Sequence, residues 1–160
     1  MNQVSTKQAC ICIVDDNRMA REVVAEQLSQ EQYLVVQIPS GLELLERFDA
    51  LLPDVVLMDV MMPQMSGYDV CREIKQNPYR KHIPVILVTA LNGREDMLQG
   101  LAAGADEFLS KPVNGAELRA RIRTMLRIIN QYNSLQSLLQ MREDLAHMLI
   151  HDMRNPLTVA

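Results

Sequence analysis

The chain has no tryptophan, and only two phenylalanines and four tyrosines among its 160 residues. A surface that stacks bases needs exposed aromatic rings, so single-stranded nucleic acid is a poor candidate partner. Sixteen Lys and Arg stand against twenty Asp and Glu, a net charge of −4 with no long block of one sign. That balance gives no footing for bulk nucleic-acid binding, and no nucleic-acid partner is expected. No apolar run is long enough to span a bilayer. Met1 to Ala9 is polar and lacks the apolar region of a signal peptide. The three cysteines, Cys10, Cys12 and Cys71, make no disulfide framework. Cys10 and Cys12 sit two apart in an apolar run, a spacing unlike a metal knuckle, so core thiols in a reducing, cytoplasmic compartment are expected. No glycine-rich nucleotide loop occurs. What remains is a chain that is 48% hydrophobic, enough for one core domain with an appendage.

Short apolar runs alternate with helical periodicity. Strands are predicted at Ala9–Val14, Tyr33–Ile38, Val55–Met58, Val85–Val88 and Glu107–Leu109. Their Val- and Ile-rich character suits strands covered on both faces. Helices are predicted over Arg18–Gln30, Gly41–Ala50, Ser66–Gln76 and Arg94–Ala103 from apolar residues spaced three and four apart. Asn114 is the expected cap of a fifth helix, with Glu117 three residues on. The prolines before Pro156 fall in connections or at strand starts. Five βα units with right-handed crossovers make a doubly wound α/β sheet.

In such a sheet the carboxyl ends of the strands share one edge, where ligands bind. Asp15-Asp16 follows the first strand and Asp59 the third. Thr89 follows the fourth, and Lys111-Pro112 the fifth. Three carboxylates in one pocket repel unless a cation joins them, and an all-oxygen set suits a hard cation such as Mg²⁺. A lysine and a hydroxyl beside them suit a phosphoryl group. The chemistry assembled is phosphoryl transfer onto a carboxylate. Singly, Asp16 reads as a helix cap, Asp59 as a strand-end aspartate and Lys111 as a surface lysine; together they require a coincidence. Met58, Met61, Met62 and Met65 read as packing beside these oxygens rather than as a soft-metal box.

These residues resemble the receiver domain of two-component response regulators. The matching pieces are Val14-Asp15-Asp16-Asn17, Met58 to Gly67, Val88-Thr89-Ala90, Gly104-Ala105-Asp106 and Ser110-Lys111-Pro112, over roughly Cys10 to Arg127. The resemblance implies a flavodoxin-like sheet of strand order 2-1-3-4-5 and assigns roles. Asp59 is the phosphoacceptor. Asp16 and Asp59 ligate Mg²⁺ directly, Asp15 does so through water, and Met61 contributes its backbone carbonyl. Thr89 donates to a phosphoryl oxygen and Lys111 neutralises another. Thr89 and Phe108 match the family's switch pair, although phenylalanine lacks the hydroxyl of the more usual tyrosine.

From Asn114 no helix breaker occurs before Pro156, which is about 60 Å of helix if continuous. Apolar residues recur at Leu118, Ile122, Met125, Ile129 and Tyr132, then at Leu138, Met141, Leu145 and Met148, with a phase break near Leu135. A dimeric coiled coil is expected; a single helix folding back on its own domain is the alternative. His151-Asp152-Met153-Arg154-Asn155-Pro156-Leu157-Thr158 resembles the phosphoacceptor box of sensor histidine kinases. The resemblance makes His151 the nucleophile, Asp152 the group that orients its ring, and Asn155 a water-positioning residue. His147 lacks the motif, and His82 reads as solvated. A kinase of that kind needs a second bundle helix and an ATP-binding domain, and neither follows, so the chain reads as a piece of a hybrid histidine kinase with an N-terminal receiver, or else as a natural truncation that kept only the dimerising helix. The expected organisation is a tail over residues 1–8, a receiver over 9–127, and a linker with the start of a kinase dimerisation helix over 128–160. The expected partners are a second copy of the chain and a histidine kinase or response regulator. The competing function is a non-catalytic pseudo-receiver that serves as a dimerisation scaffold.

Overall fold

The computed structural model describes residues 7–90 and 93–154. Five parallel strands, β1 Cys10–Val14, β2 Leu34–Ile38, β3 Val55–Asp59, β4 Val85–Thr89 and β5 Glu107–Ser110, lie in the order β2-β1-β3-β4-β5. Five helices alternate with them: α1 Arg18–Gln27, α2 Gly41–Leu51, α3 Gly67–Gln76, α4 Arg94–Ala103 and α5 Gly115–Arg154. The doubly wound, flavodoxin-like architecture and its strand order are those expected. Side-chain alternation along each strand divides the interior into two cores. Cys10, Cys12, Val14, Val56 and Met58 face one cluster, with Leu44 and Phe48 of α2 and Val70 and Ile74 of α3. Ile11, Ile13, Val55 and Leu57 face the other, beneath α1 and α5. All three cysteines are buried free thiols.

Local chemistry sets the element ends. The Asn17 side chain caps α1 by accepting from the Ala20 N–H. That helix stops at Gln27 rather than Gln30, because the Leu28 N–H turns back to the Ala25 and Glu26 carbonyls and the Ser29 hydroxyl donates to Glu26. Ser66 and Asp69 form a reciprocal capping box at the start of α3, which holds the Asp69 carboxyl below the usual range through those hydrogen bonds. The Asn114 side chain accepts from the Glu117 N–H, as a cap of α5 should.

Helix α5 corrects one expectation. Its first apolar series is not a coiled-coil seam. Leu118, Ile122 and Met125 are buried under the sheet beside β3 and β4 residues. Ile129 reaches the opposite cluster, at the amino edge of the sheet near Phe48 and Ile83. A helix face already packed on its own domain has no surface left for a partner, so the buried Ile122, Met125 and Ile129 cannot join a dimer seam. Nor does the helix fold back, since every residue from Gln131 to Arg154 is exposed. His82 is also corrected. It is not a solvated histidine without a partner; its ring stacks on Tyr132, with centroids 4.6 Å apart and planes 11° from parallel. Burial and the nearby Lys75 charge push its imidazole below the ordinary value. Among the described residues no helix is long and apolar enough to cross a membrane.

Candidate functional site

The carboxyl ends of β1 and β3 bring Asp15, Asp16 and Asp59 together. One carboxylate oxygen from each lies within 4.8 Å of the others. Asp15 and Asp59 are buried, whereas Asp16 is exposed. The Lys111 ammonium enters from the β5–α5 connection, 3.2 Å from Asp15 Oδ2 and 3.1 Å from Asp59 Oδ1. Its backbone N–H donates to the Thr89 carbonyl at 2.9 Å, tying this connection to the end of β4. Thr89 is itself buried at that end. Residues separated by up to 96 positions thus share one pocket.

Electrostatics follow from this crowding. Burial pushes the Asp59 carboxyl above the usual carboxylate range. The hydrogen bond from Lys111 opposes that rise, and the Asp15 and Asp16 charges add to it. For Lys111, burial acts to lower the ammonium value, but the hydrogen bond and charge of Asp59 and the charge of Asp15 outweigh it, and the net shift is upward. The donor set is all oxygen, clustered and short of positive charge. It fits a hard divalent cation such as Mg²⁺.

The backbone around the acids is tightly specified. The Asp15 N–H donates to the Ile38 carbonyl, and Asp15 Oδ1 accepts from the Asn17 N–H at 2.9 Å. Gly67 lets the β3–α3 connection close over the end of β3. Its N–H donates to the Val60 carbonyl at 2.8 Å, and a Cβ there would stand 2.4 Å from the Asp59 carbonyl oxygen. Met61 is 64% exposed, two residues past Asp59. Beside the acids, a mainly apolar cavity of about 220 Å³ opens between α1 and the β5–α5 connection, lined by Val23, Val24, Leu57, Val88 and Val113.

Phe108 is half-buried on β5, and with Thr89 and Met97 it lines a smaller cavity of about 90 Å³. Its ring sits against α4 at Gly100, where a Cβ would fall 2.0 Å from Cζ. The absence of a side chain at Gly100 is what lets the ring turn inward.

The structure does not bring His151 to the acids. It lies near the exposed end of α5, beyond the point where that helix leaves the domain at the opposite edge of the sheet. His151 Nδ1 is 3.7 Å from Asp152 Oδ1, too long for a hydrogen bond. Both side chains are 76% exposed. Asn155 and the Pro156-Leu157-Thr158 end of that motif lie outside the described residues.

Sequence reading missed Arg21. From α1, its Nη1 donates to the main-chain carbonyl of Asp15 at 2.6 Å. The available signal was its position one turn after the Asn17 cap, which returns a long side chain toward the preceding loop.

A family model described as response regulator receiver domain matches residues 11–123. The response regulator PleD of Caulobacter vibrioides is 44% identical over 119 residues, which make up 74% of this chain and 26% of PleD. The solved signal receiver domain of a signal transduction histidine kinase from Syntrophus aciditrophicus matches with a TM-score of 0.70 at 33% identity, covering 74% of this chain and 90% of that one. The BeF3-activated receiver domain of DrrB matches with a TM-score of 0.67 at 37% identity, covering 75% and 98%. The chain spans about a quarter to a half of the length of the curated relatives it matches.

Proposed function

This chain belongs to the response regulator receiver domain family, and from that premise we propose that it accepts a phosphoryl group on Asp59 and biases the helix that carries His151. The observation that carries the reading is the convergence of Asp15, Asp16 and Asp59 within 4.8 Å, with Lys111 between two of them. In this reading Asp16 and Asp59 hold Mg²⁺ directly, Asp15 holds it through water, and the Met61 carbonyl completes the protein's share. Bound there, Mg²⁺ would neutralise charge that develops on the phosphoryl oxygens.

The chain's own residues do the rest. A carboxylate oxygen of Asp59 attacks the donor phosphorus. A phosphorus–oxygen bond to Asp59 forms as the bond to the donor's leaving group breaks, and the leaving group departs with that electron pair. Lys111, drawn from its pairing with Asp59, faces one phosphoryl oxygen, and the Thr89 hydroxyl donates to another. Thr89 and Phe108 then read the modification, with Phe108 acting through packing against Gly100 because it has no hydroxyl to donate.

In the same reading, residues 9–127 form the receiver, and 128–160 form a linker and the start of a kinase dimerisation helix. A second copy of the chain pairs along the exposed stripe of α5, which leaves Leu138, Met141, Leu145 and Met148 between 57% and 62% exposed. A histidine kinase or response regulator exchanges phosphate with the assembly. The test is intact mass after treatment with acetyl phosphate and Mg²⁺. The native chain should gain one phosphoryl group and Asp59→Asn none. A gain in Asp59→Asn would move the acceptor elsewhere. No gain in either chain would favour the scaffold reading.

A further inference from the structure

We propose that Arg21 is a positioning residue for the metal-binding acids, an inference that rests on the Mg²⁺ reading above. The carbonyl that Arg21 Nη1 holds at 2.6 Å belongs to the peptide joining Asp15 to Asp16. Fixing that peptide plane fixes the outgoing direction of both acidic residues. Asp15 has other restraints: its N–H to Ile38, the Asn17 N–H on Oδ1 and Lys111 on Oδ2. Asp16 is exposed and has no side-chain partner among the described residues, so its orientation depends on its backbone.

The guanidinium suits this work. It is rigid and planar, and it presents its N–H donors in a fixed fork. Its Nε is buried without a hydrogen-bond partner, so the group has given up water on one edge while it holds the loop. Arg21 sits on the first turn of α1, whose own start is fixed by the Asn17 cap. The loop is therefore braced against a regular element rather than against another loop. Groups that hold metal ligands in place typically govern affinity by 10- to 100-fold.

Charge and position make opposite predictions, which gives the test its power. A cation beside three carboxylates opposes a divalent ion, so loss of the charge alone would tighten Mg²⁺ binding. Loss of the hold on Asp15–Asp16 would weaken it. Isothermal titration of the full chain with Mg²⁺ is compared for the wild type, Arg21→Met and Arg21→Lys, with metal-free melting temperatures measured alongside. Arg21→Met should bind Mg²⁺ about tenfold more weakly. Arg21→Lys, which keeps the charge and an N–H donor group but not the planar fork, should recover part of the loss. Equal or tighter binding by Arg21→Met overturns the proposal. If Arg21→Met does not fold, Arg21→Lys decides, and wild-type affinity in that variant overturns it. No Mg²⁺ binding by the wild type would instead remove the metal reading and this proposal with it.

Discussion

Replacing Lys111 with methionine removes the cation between two buried carboxylates and keeps most of the side chain's length. Each ion pair, at 3.1–3.2 Å, is worth about 5 kcal/mol of gross attraction at an effective dielectric of ~20. Desolvation offsets most of that. What counts is the state left behind: Asp15 and Asp59 side chains only 9% and 8% exposed, facing each other without compensation. Orphaning a fully buried charge in this way costs about 3–5 kcal/mol. Lys111 is 32% exposed and water screens part of its effect, so a loss of about 2–3 kcal/mol is expected. For a domain of this size that lowers the metal-free melting temperature by about 10 °C.

Two further readings separate this mechanism from simple loss of packing. On the proposed metal reading, Mg²⁺ would supply the missing charge and would bind only the folded pocket. Both proteins gain RT ln(1 + c/Kd) at a free Mg²⁺ concentration c, so the gap narrows only as far as Lys111→Met, freed of the opposing ammonium, binds Mg²⁺ more tightly, by about 1.4 kcal/mol for each tenfold. Acid should act in the same direction. The Asp59 carboxyl is already raised by burial, and the Lys111 hydrogen bond restrains the rise; without the lysine it goes higher. A carboxyl whose folded value exceeds its unfolded value takes up its proton first in the folded state. Stability is then regained as pH falls through that folded value toward the unfolded one, and lost again as pH rises through the folded value. The gap between variant and wild type should therefore narrow from pH 7.5 toward pH 4.5. Differential scanning calorimetry at both pH values, with and without Mg²⁺, reads all of these effects. A metal-free difference under about 2 °C at pH 7.5, or a gap that Mg²⁺ leaves untouched, would refute the role given to Lys111.

Gly67→Ala would set a Cβ 2.4 Å from the Asp59 carbonyl oxygen and 2.9 Å from Val60 Cα; backbone against backbone cannot yield cheaply, and about 3 kcal/mol of stability should be lost in urea unfolding. Leu138→Glu with Leu145→Glu should convert a dimer to monomers by light scattering, and an unchanged mass would rule out that seam. His82→Ala should cost about 1 kcal/mol for the lost ring stack. Because His82 is held below its ordinary value, its contribution is present at neutral pH and is lost as pH falls through the folded value. His82→Phe should keep the stack and show a smaller loss between pH 7.5 and 5.5, with equal losses counting against the assignment.

The site was legible because a parallel sheet maps sequence onto space. Once Cys10–Val14, Val55–Met58 and Val85–Val88 are read as strands, Asp15, Asp59 and Thr89 must share one edge, and no side-chain detail is needed. What the sequence hid was pairwise and long-range. His82 and Tyr132 are fifty positions apart, and neither carries a motif. Gly100 reads as a weak helix residue until the Phe108 ring is seen against it. Arg21 reads as one cation of a surface helix, because nothing in periodicity tells a side chain that reaches back to a carbonyl from one in water. The α5 stripe was misread for a different reason. Steps of three and four fit a helix packed on a sheet as well as a coiled-coil seam, and only the buried strands beneath Leu118, Ile122 and Met125 decide between them.

That correction also explains the phase break near Leu135. Up to Ile129 the helix must turn its apolar face to its own sheet; beyond Asn133, which still lines a cavity with Phe48 and Ile83, every described residue of the helix is exposed, and the constraint ends. At about 100° per residue, Leu138 and Leu145 lie roughly 160–180° around the helix from Ile129. The exposed stripe therefore faces away from the side that carries the receiver. A second copy seated on Leu138 and Leu145 would not compete with the receiver for helix surface, whereas a stripe continued in phase from Ile129 would direct the partner into the space beneath the domain. With Met141 and Met148 included, the stripe is offset by roughly 100–180°, as a helix with partners on two sides would require. Tyr132, stacked on His82, marks the position where one side hands over to the other.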